Sequence, residues 1–421
     1  MSNRTLAKKL ASVKPGTLFV GVDLAKSSNV AVVLTEHKRR LDRFSFPNDR
    51  DGYDYFYRRL DKSREQEQAP AIIIGMEPTN YFWKLLAADL EEHHPEHTYR
   101  LVNPYTVKKV REGTQLDRSK DDNRDGETIG GLMIDGRYTY TQLLHASYAE
   151  LREYGKIYYR IQRDIKRQKT FINNIAGQLF PELTREFKDL SGLTATAMLR
   201  NHGAAAVIRE IPEQDFIDAV REDFRGQKLG VSRLHRAYAS AQRSVGLTDG
   251  IAAFQQALHM HIETLEMQKK QLETLEESFV DVFLHLPEAD YMLSIDYLGV
   301  ITAAKILAEI GDPGNYTQAR QWIKLAGTQP VPNTSGRKTR SRTPISHKGR
   351  SQLRTTLYFA VLQLIQKDPA FAQVYQHFQI RKKNPLTKMQ AVVAVMNKLL
   401  RVLWALIQHQ TYYDPELLMA R

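Results

Sequence analysis

Three short β-rich runs stand close together near the start of the chain, at residues 17–23, 29–35 and 41–46, with room between them for short turns only. Strands joined so briefly pair antiparallel, as a meander. A helical stretch at 49–60, opening after Pro47-Asn48, leads to a continuous apolar run at 71–76, the pattern of a strand buried on both faces. A helix at 81–92, a strand at 98–102 and a helix at 121–134 complete the order βββαβαβα.

That order is the one of the ribonuclease-H-like sheet, in which the meander comes first and later strands are added by crossovers. Four acids fall at its functional end. Asp23 ends the first strand, Glu77 ends the fourth, and Asp122 and Asp125, three apart on the following helix, face one way over the sheet. Carboxylates gathered from separate elements repel one another unless a cation lies among them, and an all-oxygen set prefers Mg²⁺ or Mn²⁺ to zinc. Two such ions stabilise both the attacking and the leaving oxygen of a phosphodiester exchange. The competing reading of Asp122 and Asp125 is a solvated helix start within the charged run 117–125.

Charge separates the two ends of the chain. Its 421 residues carry 60 Lys and Arg against 48 Asp and Glu, a formal charge of +12. From residue 313 onward there are seventeen basic residues and three acids (Asp368, Asp414, Glu416), and no acid occurs between Asp312 and Asp368. A one-signed field of that extent attracts a polyanion, nucleic acid above all, whereas a merely solubilising tail would lack the Trp322, Leu325, Tyr358 and Leu362 core pattern. There is no cysteine, which removes disulfides, thiolate nucleophiles and Cys-based metal sites and fits a reducing cytosol. The apolar stretches 16–22 and 391–407 are interrupted by charge or ended by it, and neither is expected to be a signal peptide or membrane span.

Gly21-Val-Asp-Leu-Ala-Lys26, Glu77-Pro-Thr-Asn-Tyr81, Leu101-Val-Asn-Pro-Tyr-Thr-Val-Lys108 and Lys120-Asp-Asp-Asn-Arg-Asp125 resemble, in order, the signature of insertion-sequence transposases with a RuvC-like DEDD domain. The resemblance implies that Asp23, Glu77, Asp122 and Asp125 are metal ligands. The family usually has Gly where Asn80 stands, Thr where Asp121 stands and Ala where Gly126 stands. Near the other end, Ala326-Gly-Thr-Gln-Pro-Val-Pro-Asn-Thr-Ser-Gly336 and Lys348-Gly-Arg-Ser-Gln-Leu-Arg354 are similar to the blocks of the C-terminal domain of the same transposases. Carried onto this chain, they make Ser335 a nucleophile. Loop composition alone reads it as a turn serine. A serine hydroxyl needs a field that stabilises its alkoxide. Gly336 allows close approach of a phosphate, and Arg337, Lys338 and Arg340 can neutralise developing charge; with Arg342, Lys348, Arg350 and Arg354 they form the expected nucleic-acid-binding set.

Between these ends the pattern is helical. Apolar residues at three and four spacing run from Leu151 to Leu179 and stop at Pro181. A second helix, 251–283, sets Leu258, Leu265, Leu272 and Phe279 seven apart, a coiled-coil seam whose commoner use is bundle packing; the resemblance favours pairing of subunits into dimers or tetramers. Residues 193–247 are mixed helix and loop. The segment 293–307 has the apolar, turn, apolar order of a helix-hairpin-helix, with Ile301 where the usual second glycine would stand. His93, His94 and His97, around Pro95, read as a solvated turn, and His347 as an exposed loop histidine.

The expected architecture is α/β plus α: a RuvC-like domain at 1–145, a helical, coiled-coil oligomerisation region at 146–288 and a mainly helical, basic transposase domain at 289–421. The resemblance implies a cytoplasmic bacterial protein, associated with the nucleoid when active: an RNA-guided DNA recombinase of a mobile element. In it a phosphoserine intermediate and metal-bound carboxylates cut and rejoin target and donor DNA, and an element-encoded bridge RNA reads the sequence. Two rivals use parts of the same residue set. A metal-dependent, RuvC-like Holliday-junction nuclease needs no serine, and a nucleic-acid pairing protein needs no carboxylates.

Overall fold

The computed structural model of the chain describes residues 9–79, 81–114, 125–140, 143–226, 228–331, 334–335, 338–339 and 344–419. The chain divides into two compact units, residues 1–143 and 144–421.

In the first unit β1 (Leu18–Asp23), β2 (Ser28–Leu34) and β3 (Arg40–Pro47) form the antiparallel meander. Helix α1 (Arg50–Gln66) begins at Asp49, whose carboxylate accepts the Gly52 N–H at 2.8 Å, a cap that contributes about 1 kcal/mol. The crossover returns β4 (Ile72–Met76) parallel to β1, and α2 (Phe82–His93) returns β5 (Thr98–Leu101) parallel to β4. The resulting order β3-β2-β1-β4-β5 is the ribonuclease-H-like one. Two helices follow where the sequence suggested one: α3 (Pro104–Thr114) and α4 (Asp125–Ile134). The start of α3 carries a legible signal, Pro104 in its first turn and Asn103 accepting the Tyr105 N–H at 2.9 Å, inside a stretch read above only as a motif. Residues 121–124, expected to open the last helix, lie outside the described residues.

Strand periodicity sorts the side chains. Leu18, Val20 and Val22 of β1 and Ile72, Ile74 and Met76 of β4 pack with Phe46, Phe56, Leu60, Leu86 and Leu90 of the meander and of α1 and α2. Phe19 and Ile73 point the other way, to Val107 of α3 and Ile129, Leu132 and Met133 of α4. Each such fully buried side chain contributes about 2 kcal/mol. β4 is buried at all five positions, which is why its sequence is a run and not an alternation.

The second unit is built on two 34-residue helices, α5 (Ala146–Leu179) and α6 (Ile251–Leu284), each about 50 Å long. They run antiparallel: Tyr158, early in α5, packs on Phe279, late in α6, at 6.0 Å between ring centroids, and Gln168 meets the His261 ring at 2.8 Å near the middle. The heptad seam expected to join subunits is therefore filled from within the chain. Leu258 and Leu265 pack with Ile172, Ala176 and Leu179 and with the short helices of residues 183–241; Phe279 joins a separate core with Leu151 and Tyr158. That larger core is completed by α7 (Val300–Ile310), α8 (Ala319–Ala326), α9 (Ser351–Lys367), α10 (Pro369–Ile380) and α11 (Lys388–His409), around a fully buried Trp322. α11 is long and apolar enough to cross a membrane by length and composition, but its Val395, Leu399, Leu400 and Leu403 are buried in this core. A turn at 294–299 joins a short helix, Ala289–Leu293, to α7, and Ile301 packs against the core where a phosphate-binding turn would want glycine.

Candidate functional site

In the first unit the carboxylates follow from strand register. Val22 lies beside Met76 in the parallel pair β1–β4, so Asp23 and Glu77, the next residue of each strand, leave the sheet side by side at its C-terminal edge. By period two, Asp23 shares its face with Phe19 and Gly21, the face covered by α4, and Asp125 is the first residue of α4. Three of the four predicted acids are thus brought to one corner of the fold. Asp122 lies outside the described residues.

Glycine makes that corner. A Cβ on Gly21 would stand 1.8 Å from the Gly126 carbonyl oxygen and 2.6 Å from the Gly130 nitrogen, so the backbone of α4 rests directly on β1. Gly126 faces back: its own Cβ would meet the Gly21 oxygen at 3.0 Å. We expect Gly21→Ala to force α4 off the sheet at a cost of about 3 kcal/mol, measured as faster hydrogen exchange in β1 peptides of the full chain; unchanged protection would refute the contact.

Partners that the sequence reading passed over hold the acids in place. Arg111 of α3 donates from Nη1 to both Asp125 oxygens, at 3.0 and 3.3 Å. Thr79 donates its hydroxyl to the Glu77 carboxylate, and its N–H to the Glu77 carbonyl at 2.8 Å. Asn29, fully buried, accepts the Ala25 N–H at 3.0 Å and so ties down the loop that follows Asp23. The donors at this corner are carboxylate oxygens, Asp125 offset by the Arg111 guanidinium, the chemistry a hard divalent cation takes, but Asp23, Glu77 and Asp125 do not all lie within 4.8 Å of one another. Tyr81 and Tyr105, at the same strand ends, are 58% and 68% exposed, enough ring for a nucleotide to stack on.

In the second unit Ser335 is carried on a hairpin. Val331 N–H donates to the Pro344 carbonyl and Ser346 N–H to the Gln329 carbonyl, both at 2.9 Å, and β6 (Thr334–Ser335) pairs with β7 (Lys338–Thr339) farther out. Ser335 stands opposite Lys338, the last pair before a two-residue connection. Arg337, Arg340 and Arg342 lie outside the described residues.

The base of this hairpin explains two motif glycines. Gly327, at φ +68°, and Gly349 are back to back: a Cβ on Gly349 would be 2.4 Å from the Leu325 oxygen and 2.5 Å from the Gly327 nitrogen. Arg350 and Arg354, expected to face nucleic acid, also serve this scaffold. The Arg350 N–H donates to the Leu325 carbonyl at 2.7 Å and its guanidinium to the Glu309 carbonyl, while Arg354 donates to the Ala326 carbonyl at 2.9 Å. Lys348 and His347 are exposed.

Beside the hairpin base, between α9 and α11, opens a cavity of about 1720 Å³ lined in part by His347, Tyr358, Phe359, Arg381 and Asn397, with no acid among its described residues. Phe359 is 64% exposed. An aromatic face among cations suits an unpaired nucleotide. The signal in the sequence was Phe359 directly after Tyr358, since adjacent positions of a helix cannot both face one core.

The histidine turn differs from its expectation. His97 is buried, with 2% of its side chain exposed, and the His94 ring stacks on Tyr57 at 3.6 Å between centroids.

Two family models match the chain. A transposase model of the DEDD, IS110 type matches residues 20–181, and a model described as the transposase IS116/IS110/IS902 family matches residues 289–376. Among relatives, the pilin gene-inverting protein of Moraxella lacunata is 29% identical over 136 residues, 31% of this chain and 41% of the relative. The mini-circle putative transposase for IS117 of Streptomyces coelicolor is 22% identical over 335 residues, 76% of this chain and 78% of its own length. A probable family 20 transposase of Pseudomonas aeruginosa is 23% identical over 354 residues, 83% and 87% of the two lengths. The match to the pilin gene-inverting protein thus spans about two fifths of that relative. One model lies on the carboxylate sheet and the helix that follows it and the other on the serine-bearing half, so both parts of the chain are similar to transposases of the IS110/IS116 type.

Proposed function

We propose that this protein is a DNA recombinase that moves or inverts a mobile element, through a phosphoserine intermediate and under the guidance of an element-encoded bridge RNA. The observation that carries the reading is the register that sets Asp23 beside Glu77 at the ends of two parallel strands, with the helix of Asp125 over them, in a chain whose other family block bears Ser335 on a hairpin.

Ser335 Oγ attacks the scissile phosphorus, forming one P–O bond while the bond to the leaving strand breaks. The serine proton departs, and the leaving oxygen takes up a proton. Attack by the hydroxyl of a second strand then reverses the exchange and frees the serine. One phosphodiester is exchanged for another ester at each step, so no nucleotide cofactor is required. Asp23, Glu77, Asp122 and Asp125 would hold Mg²⁺ or Mn²⁺, which supplies Lewis acidity toward the attacking and leaving oxygens. Arg337, Lys338, Arg340 and Arg342 offset the charge of the phosphate, and Lys348 with the Phe359 cavity grips the backbone and bases of the strands. Arg350 and Arg354 add positive field while bracing the hairpin. Dimers or tetramers bring donor and target sites together.

Guidance is tested by purifying the full chain from cells that carry its element and sequencing the nucleic acid that comes with it. A discrete structured transcript from the element's flanks is expected, released steeply as salt rises. Random cellular RNA would overturn the guided reading.

A further inference from the structure

We propose that His94, Glu96 and His97 form a zinc-binding site on the first unit, separate from the carboxylates at the strand ends. The three residues lie in the connection from α2 to β5. Because β5 begins opposite Ile73 and ends opposite Met76, that connection is at the edge of the sheet away from Asp23 and Glu77.

One ligand atom from each residue lies within 4.8 Å of the other two. His94 Nδ1 is 3.2 Å and His97 Nε2 3.8 Å from the same oxygen, Glu96 Oε1. A tetrahedral zinc with bonds of the usual length holds its donors about 3.3 Å apart, so side-chain rotation closes the set. The second observation is independent of spacing. His97 Nε2 is buried, with no hydrogen-bond partner, on a side chain 98% removed from solvent and aimed at the Glu96 carboxylate. Leaving a buried ring nitrogen unsatisfied is costly, and a metal bond would satisfy it.

The surroundings favour the ligand forms. Burial lowers the His97 pKa, and a hydrogen bond from Glu96's own backbone N–H, followed by the His94 ring, lowers that of the Glu96 carboxyl. His93 is committed elsewhere, 3.4 Å from Asp89, and stays out of the set. Two imidazoles and one carboxylate select a borderline cation such as Zn²⁺ over Mg²⁺ and leave one position for water. Since His94 also stacks on Tyr57 of α1, a bound zinc would brace the α2–β5 turn against α1.

The test uses the full-length protein stripped of metal and titrated with Co²⁺. One equivalent should give the visible band of four-coordinate, nitrogen-ligated cobalt, which Zn²⁺ displaces and Mg²⁺ does not, and Zn²⁺ should raise the melting temperature by several degrees. Glu96→Gln changes an exposed residue and leaves the core intact; it and His94→Gln should each weaken cobalt binding by about tenfold or more, and His97→Gln likewise. Asp23→Asn should leave the band in place, which separates this site from the strand-end carboxylates. No band at about 1 mM Co²⁺, full affinity in Glu96→Gln and His94→Gln, or loss of the band in Asp23→Asn would each overturn the proposal.

Discussion

Replacing Ser335 by alanine is expected to abolish strand joining, by about 10⁴-fold or more, and to remove every protein–DNA adduct from a denaturing gel, while binding of DNA and RNA persists. The size of the effect follows from the role: a nucleophile has no substitute when its oxygen is deleted. The tolerance of binding follows from the hairpin, because Ser335 meets Lys338 through backbone pairing, which alanine retains. The result also divides this reading from its nearest rival. A metal-dependent junction nuclease would use water in place of serine, and its cleavage would continue at the parent rate in the alanine variant.

Asp23→Asn and Glu77→Gln are each expected to lower cleavage about 10³-fold or more without unfolding the sheet. Asp23 is the last residue of β1 and Glu77 the first after β4, both outside the core formed by Val20, Val22, Ile74 and Met76, so an amide of the same shape leaves that core's packing in place. What it removes is negative charge, the quantity that makes the set attractive to a divalent cation. Gel assays of cleavage across a Mg²⁺ titration, beside thermal melts of the same preparations, check both halves of the expectation. Full activity in either variant would leave the protein as a binder and pairer of nucleic acid.

The parts of the fold that can be read from the sequence are those in which one local pattern has one physical solution. Short turns force the meander, the unbroken apolar run at β4 requires cover on two faces, and Asp49 marks the start of α1. Asp23 and Glu77 are legible for the same reason, since a charge that ends a buried strand must lie at a sheet edge. Helix α3 turns only two apolar side chains, Val107 and Val110, toward the core, too few to set a helical period in the sequence. The use of the heptads was ambiguous in principle: Leu258, Leu265 and Phe279 read identically whether the helix beside them belongs to the same chain or another, and here it is α5. Burial of His97 could not be seen either, because three histidines around a proline look polar until the Tyr57 ring is known to lie against them. Nor could the inward duty of Arg350 and Arg354, which arises from carbonyls near Ala326 that the chain returns to only in three dimensions.

The antiparallel pair α5 and α6 has a consequence of reach. With 34 residues in each helix and a separate hydrophobic core around either end, the separation of the two cores is set by helix length and not by side-chain chemistry. Removing a heptad from both helices would bring the two cores about 10 Å closer while leaving the residues of each core in place.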